Sequence, residues 1–412
     1  MIETLIVADT LTGSADTGAK FSNGGPVKLV NLDLPDWSGI HGVLTVNTDT
    51  HVSAPERIPE TLAKVKTLLN DHRPRILYKR IDSCLRGFIG LEIATFLQAF
   101  DGLDFALVAP AHPETGCVTI RGIHRVDNKP VHTTKYAKGY SKPVLDSRLK
   151  NVIAQDHNLR VETIDIEDIR SGPAAIEHKL KSFRRKGDKF IVACDAEFDY
   201  DLDLLAKATK ELAEKILFTG SSGLAEVLAD LYSAKSHNWL GDEFHPPTPQ
   251  PPVIFFGGSY SKVLREQFNA LAADHGGTLY ELDLEALMNG RGQTIPIPTP
   301  GKPLIITLPD KSNDEAFNKK YPLTQINEKF GPLAADLAKN AQYNSIFISG
   351  GELPRTTLKA MNLDEVWIRS ELPQGIVFSS SGPLSILTKQ ADFGPPEALS
   401  QLFRDITTED DW

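Results

Sequence analysis

Lys79-Arg80-Ile81-Asp82-Ser83-Cys84-Leu85-Arg86-Gly87-Phe88-Ile89-Gly90 sets unlike charges, a hydroxyl and glycine at the end of an apolar run. Ile76-Leu77-Tyr78 before it reads as the close of a buried strand. Phe88 to Phe100 after it reads as an amphipathic helix with Ile89, Ile93, Phe96, Leu97 and Phe100 on one face. The segment between them is a strand-to-helix turn. In open α/β sheets such turns lie at the carboxyl edge, where ligands bind, and the helix start offers unpaired N–H groups to an anion. Lys79, Arg80 and Arg86 suit a negatively charged ligand, and Asp82 suits a proton acceptor or a metal ligand. The competing reading is a surface turn whose charges pair with each other.

The chain upstream repeats this arrangement. Leu5-Ile6-Val7-Ala8 is a strand buried on both faces and ends in Asp9-Thr10-Leu11-Thr12-Gly13-Ser14. Val43 to Val46 is another strand, ending in Asn47-Thr48-Asp49-Thr50-His51. Polar turns that recur on one edge of one parallel sheet point to a crevice rather than to unrelated surface. Further strand and helix patterns run to a last strand at Ile216 to Thr219 and a helix from Leu224 to about Tyr232. Thr119 to Pro130, with Asp127-Asn128 at its centre, reads as a β-hairpin flap.

With 412 residues the chain exceeds one ordinary core and suggests two domains. The clearest boundary is the Pro-rich stretch 236–252, which separates a first α/β domain, 1–235, from a second, 253–408, with an acidic tail at 409–412. The expected fold class is thus α/β, two domains each built on a mostly parallel sheet flanked by helices. In the second domain Val253 to Phe256 runs into Gly257-Gly258-Ser259-Tyr260-Ser261, and Ser345 to Ile348 runs into Ser349-Gly350-Gly351-Glu352. Glycine admits a phosphate close to the backbone and the following helix start supplies N–H donors, while Lys389 adds a cation. Tight-turn glycines without a ligand are the competing reading, since neither a Walker A sequence nor Gly-x-Gly-x-x-Gly occurs. Pro309 to Tyr321 reads as a surface insertion with little order.

A formal charge of −10 argues against a general nucleic-acid binder. Cys84, Cys117 and Cys194 fit neither a disulfide framework nor a zinc spacing, and His51, His112, His124 and His132 read as ordinary loop or hairpin residues, so no metal site is expected. Ser221, in Gly-Ser-Ser-Gly, reads as a helix cap rather than a nucleophile. No signal-peptide or membrane pattern is visible, and a cytoplasmic, reduced protein is expected.

Taken together and in order, these turns resemble the four-carbon acid sugar kinase family, also known as DUF1537. Asp9-Thr10-Leu11-Thr12-Gly13-Ser14 resembles its opening Asp-Asp-Leu-Thr-Gly-Ala. Arg80-Ile81-Asp82-Ser83-Cys84-Leu85-Arg86-Gly87-Phe88 resembles its Lys-Thr-Asp-Ser-Thr-Leu-Arg-Gly-Asn. Pro113-Glu114-Thr115-Gly116, Gly220-Ser221-Ser222-Gly223, Gly258-Ser259-Tyr260-Ser261, Gly350-Gly351-Glu352 and Lys389 through Phe393-Gly394 are similar to further family stretches.

The resemblance implies ATP-dependent phosphorylation of a small sugar acid such as threonate, erythronate or a 3-oxo-tetronate, across an interdomain active-site cleft. It places substrate at Asp9, Thr10, His51, Arg80, Ile81, Asp82, Ser83 and Arg86. It places nucleotide at Gly258, Ser259, Gly350, Gly351, Glu352, Leu353, Lys389, Ala391 and Gly394. ATP and Mg²⁺ are the implied cofactors, with the sugar acid and ATP as partners, neither nucleic acid nor membrane, and a homodimer among the allowed assemblies. The expected catalytic carboxylate is Asp82, with Asp9 as its rival.

The chain departs from the pattern where Thr50-His51 replaces Ser-Arg, where Thr10 replaces the second Asp, and where Ile81 replaces Thr. It departs again where Leu353 follows Gly-Gly-Glu, and where Gln390-Ala391-Asp392 replaces Ser-Gly-Gly. These changes motivate an alternative, a small-acid binding or regulatory protein whose chemistry has decayed.

Overall fold

The computed structural model describes residues 2–32, 37, 39–69, 73–138, 142–185, 187–233, 248–251, 253–311, 314–340 and 343–408. The chain divides into two compact units, Met1–Asp242 and Glu243–Trp412. Of the expected linker 236–252, residues 236–247 and 252 lie outside the described residues, as does the tail 409–412. We propose that the Pro-rich stretch is the boundary between the domains.

The first unit carries β1 (Ile2–Ala8), β2 (Val27–Asn31), β3 (Gly42–Asn47), β4 (Ile76–Arg80), β5 (Phe105–Ala109), β6 (Cys117–Ile120), β7 (Ile123–Val126), β8 (Lys129–Pro130), β9 (Arg160–Ile164), β10 (Phe190–Cys194) and β11 (Ile216–Gly220). Eight of these pair in the order β2-β3-β1-β4-β11-β5-β10-β9, all parallel. Every residue of β4, β5, β10 and β11 is buried, as the continuous apolar runs require of strands covered by helices on both faces. The helix Ile89–Ala99 buries Ile89, Ile93, Phe96 and Leu97, the face expected from its 3.6-residue period, and Phe100 beyond it is already extended.

Order along the chain matters more than the strand list. After β1 the chain crosses to β2 and β3 on one side, then returns to place β4 on the other. The gap between the ends of β1 and β4 is therefore a topological switch point, where successive connections leave on opposite faces and open a crevice.

The expected hairpin is a three-stranded antiparallel meander, β6-β7-β8. It has two turns rather than one. Both reverse through positive φ, at Arg121 (50°) and Gly122 (72°), and at Asp127 (50°) and Asn128 (63°), as two-residue hairpin loops demand.

The second unit carries β12 (Val253–Gly257), β13 (Thr278–Glu281), β14 (Leu304–Thr307), β15 (Ser345–Ser349), β16 (Glu365–Leu372), β17 (Ile376–Ser381) and β18 (Leu384–Lys389). Their order within it is β13-β14-β12-β15-β18-β17-β16. The first five are parallel, and β17 is antiparallel to both neighbours. Here too the chain leaves β12 for one side, then returns to place β15 on the other. Within the stretch 309–321, of which 312–313 lie outside the described residues, 314–321 is more ordered than expected. The helix Glu315–Lys320 starts at Asp314, whose Oδ1 accepts from Phe317 N at 3.0 Å, an N-cap that a polar composition hides. No helix among the described residues is long and apolar enough to cross a membrane.

Candidate functional site

Asp9 directly follows β1 and Arg80 ends β4, so the first switch point brings them together. Arg80 Nη1 donates to Asp9 Oδ1 at 3.0 Å, and both residues are buried, 5% exposed each. Thr10 caps the helix Leu11–Lys20, its hydroxyl accepting from Gly13 N at 3.0 Å. Gly13 is bare for a steric reason. A Cβ there would lie 2.6 Å from Arg80 Cζ, so the guanidinium lies against the first helical turn where any other side chain would stand. His51 follows β3 and its Nδ1 donates to the Asp9 carbonyl at 2.7 Å, with the ring 6% exposed. Thr48 Oγ1 donates to Ala8 O at 2.9 Å, which ties the β3 end to the β1 end.

Asp82 is committed to its own turn. Oδ2 accepts from Arg86 Nε at 2.8 Å, Arg86 N at 3.1 Å and Cys84 N at 3.2 Å, while Oδ1 accepts from Arg86 Nη2 at 2.8 Å. Burial alone would raise its pKa, but the Arg86 charge and hydrogen bonds, with the Arg80 charge, hold it at about 2 against an ordinary 3.8. A carboxylate so stabilised is a weak proton acceptor.

The depression fixes a sign for acid stability. The unfolded carboxyl titrates near its ordinary value, so the contribution is fully present above about pH 4 and is lost as pH falls through about 2. It amounts to about 2 kcal/mol at roughly 1.4 kcal/mol per pKa unit. Urea unfolding at pH 5, 3 and 2 should show this extra loss in the native chain. Asp82→Asn should lack it, and an identical pH dependence in the two would refute the assignment.

Lys79 does not face a ligand. Fully buried, it pairs with Glu92 at 2.7 Å and donates to Arg80 O at 2.8 Å, so the cation expected for an anion anchors the strand end to the next helix. Ile81 likewise lies in the hydrophobic core with its N–H on Gly220 O at 2.9 Å, leaving its backbone as the part that borders the turn.

Two contacts join the meander to the Asp82 turn. His124 Nε2 donates to Ser83 O at 2.7 Å while its Nδ1 takes the Thr119 hydroxyl at 2.9 Å; burial pushes the ring pKa down to about 4, so the ring is neutral. Cys84 is buried against Cys117, whose hydrogen bond, with desolvation, pushes the Cys84 thiol far above the usual range. His124 had no legible signal, because its partner is a backbone carbonyl 41 residues away. Ser221 accepts from Gly223 N at 3.3 Å, a capping contact, and donates to Ala111 O at 2.9 Å. Among the described residues no group of three or more His, Cys, Asp or Glu could hold a metal ion.

In the second unit the turns after β12 and β15 meet. Gly258 N donates to Ser349 O at 2.8 Å, and a Cβ on Gly350, at φ 130°, would lie 2.9 Å from Gly258 O. Gly350 is therefore required by close backbone approach and Gly258 by the Asn327 and Leu353 side chains packed against it, whereas the space around Gly351 is open. Leu353 is buried at the start of the helix Leu353–Ala360, and Glu352 pairs with Arg355 at 3.1 Å.

Lys389 ends β18 beside β15. It is 2% exposed, with Nζ donating to Gln390 O at 3.0 Å and to Phe393 O. Burial, opposed by the Asp392 charge, lowers its pKa to about 8. Ala391 is buried and Gly394 exposed at φ 87°.

Two α/β units, one with a carboxylate–guanidinium pair at its switch point and the other with abutting glycine turns at its own, give the chain two candidate sites. Residues 4–228 match the model of a sugar-binding N-terminal domain and residues 255–399 that of a nucleotide-binding C-terminal domain, and the chain belongs to this family. It is 23% identical to a D-threonate kinase of Salmonella typhimurium, over 96% of each chain. It is 24% identical to a 3-oxo-tetronate kinase of Pseudomonas savastanoi pv. phaseolicola, over 97% of this chain and 96% of the other. A crystal structure of a Haemophilus influenzae protein assigned to DUF1537 shares the fold, with a TM-score of 0.73 at 16% identity over 98% of this chain and all of that one.

Proposed function

We propose that the chain transfers the γ-phosphoryl group of ATP to a hydroxyl of a four-carbon sugar acid, a tetronate such as threonate or erythronate, or a 3-oxo-tetronate. The observation that carries this is the buried Asp9–Arg80 pair at the β1/β4 switch point. The pair couples a cation that can take a carboxylate with an anion that can take a hydroxyl proton, inside a domain of the sugar-binding family. The substrate oxygen attacks the γ-phosphorus, the bond to the β–γ bridging oxygen breaks, and ADP leaves. The hydroxyl proton passes to Asp9.

Asp82 supports this step indirectly, by fixing Arg86 and the turn. The choice of Asp9 over Asp82 rests on the four donors that already occupy both Asp82 oxygens. Phosphoryl transfer is catalysed mainly by positioning and charge, so a modest base suffices.

ATP suits the second unit, which matches a nucleotide-binding domain and where the backbone at Gly351 lies in open space. Mg²⁺ would be held chiefly by phosphate oxygens, as its preference for few protein ligands allows, and would neutralise charge on the transferred group. A coupled ADP-release assay over four- to six-carbon sugar acids with Mg-ATP tests the reading. Turnover of a tetronate supports it, whereas no turnover on any acid, with no thermal stabilisation by millimolar Mg-ATP, would sink it and favour the decayed binding protein.

His51 is proposed to tune substrate choice, because its ring lies against the backbone of Asp9, the proposed base. His51→Arg should raise kcat/KM for simple tetronates relative to longer acids by about tenfold, since a second guanidinium adds a grip on the carboxylate. An unchanged substrate profile would remove His51 from specificity.

A further inference from the structure

We propose that Asn327, Gln267 and Lys389 are positioning residues which aim three backbone N–H groups, those of Ser259, Gly394 and Ala391, at the phosphates of the bound nucleotide. The inference rests on the nucleotide-binding reading of the second unit and names the parts of that site which grip phosphate.

The argument is stereochemical. A trans peptide is planar, and its C=O and N–H point in opposite directions. A side chain that holds the carbonyl of one residue from inside the protein therefore turns the N–H of the next residue outward. Asn327, on the helix Leu323–Asn340 and 1% exposed, donates from Nδ2 to Gly258 O at 3.0 Å, which orients Ser259 N–H. Gln267, on the helix Lys262–His275 and fully buried, donates from Nε2 to Phe393 O at 3.0 Å, which orients Gly394 N–H. It also reaches Gly394 O at 3.2 Å and Pro395 O at 3.0 Å. Lys389 Nζ holds Gln390 O at 3.0 Å and so orients Ala391 N–H.

The three N–H groups belong to adjoining turns. Ser261 Oγ donates to Ala391 O at 2.9 Å, joining the turn after β12 to the turn after β18, and Gly350 abuts Gly258 from the turn after β15. Outward-turned backbone N–H groups on adjoining turns offer donors to an anion, as in the concavities that bind phosphate.

A purely structural role explains the two amides poorly. Asn327 Oδ1 and Gln267 Oε1 are buried without a hydrogen-bond partner among the described residues, a cost that an apolar side chain of the same size would avoid. What the amides supply, and leucine would not, is a donor to a chosen carbonyl. The same geometry revises Lys389: its ammonium is engaged with carbonyls of its own loop, so it shapes the loop instead of meeting phosphate directly.

The test is calorimetric titration of wild type, Asn327→Asp and Gln267→Glu with ADP and with adenosine. Each substitution keeps the shape and replaces the donor by an acceptor that repels the carbonyl. The Kd for ADP should rise by about tenfold or more in each variant, while that for adenosine, which lacks phosphate, stays within about twofold. Unchanged ADP affinity, or equal losses for ADP and adenosine, would overturn the proposal.

A second measurement needs no variant. In wild type, amide hydrogen exchange at Ser259, Ala391 and Gly394 should slow with ADP and not with adenosine, and equal protection by both would also overturn it. Wild type that binds neither ADP nor ATP would instead refute the kinase reading itself.

Discussion

Asp9→Asn should lower kcat by about a hundred- to ten-thousandfold, the usual worth of a positioned general base, with the KM for ATP changed by no more than about twofold. Asparagine keeps the size of Asp9 and can still accept from Arg80 at the 3.0 Å contact, so the switch point should keep its shape while losing the proton acceptor and one charge, at a stability cost of about 3–5 kcal/mol for a buried pair broken from one side. The separation between kcat and nucleotide KM is the diagnostic, because the nucleotide site belongs to the other unit. Retained turnover would remove Asp9 from the chemistry. A rise in the sugar-acid KM alone would make it a binding group only.

Asp82→Asn should act differently. It removes the charge that compensates a largely buried Arg86, whose side chain is 19% exposed, and replaces one of two acceptor oxygens by a donor facing other donors. Breaking a buried pair from one side costs about 3–5 kcal/mol, so the thermal midpoint should fall by several degrees. The KM for the sugar acid should rise as the turn from Ser83 to Gly87 loosens. Differential scanning calorimetry with steady-state kinetics checks both. A variant as stable as wild type but with turnover abolished would restore Asp82 as the base.

The architecture of both units was legible because buried parallel strands announce themselves as short continuous apolar runs, and the turns that follow them as dense polar clusters. Lys79 to Gly90 and Asp9 to Ser14 could be paired from sequence, but not the partner each charge would choose. Asp82 looked like a free carboxylate until its four donors were visible, and Lys79 like a ligand cation until Glu92 appeared beside it. Such pairings depend on which face of a strand or helix a side chain leaves.

β17 carries a weak sequence signal, because past Ile376-Val377-Phe378 it continues as three serines, its pairing coming from β16 and β18 on either side. Asn327 and Gln267 were invisible for a related reason. An amide on a helix carries no signal until the carbonyl it serves is placed against it.

Positions 13 and 80 occupy one shared volume, although they stand far apart in the chain. Enlarging the first must displace the second, so the two are exchangeable only as a pair: Gly13→Ala alone evicts the guanidinium, while Gly13→Ala with a shorter residue at 80 restores the fit and removes the cation. The absence of a side chain at position 13 is thus itself a part of how the guanidinium is seated. A larger residue at position 13 would thus mark a chain in which an arginine at position 80 has lost its place.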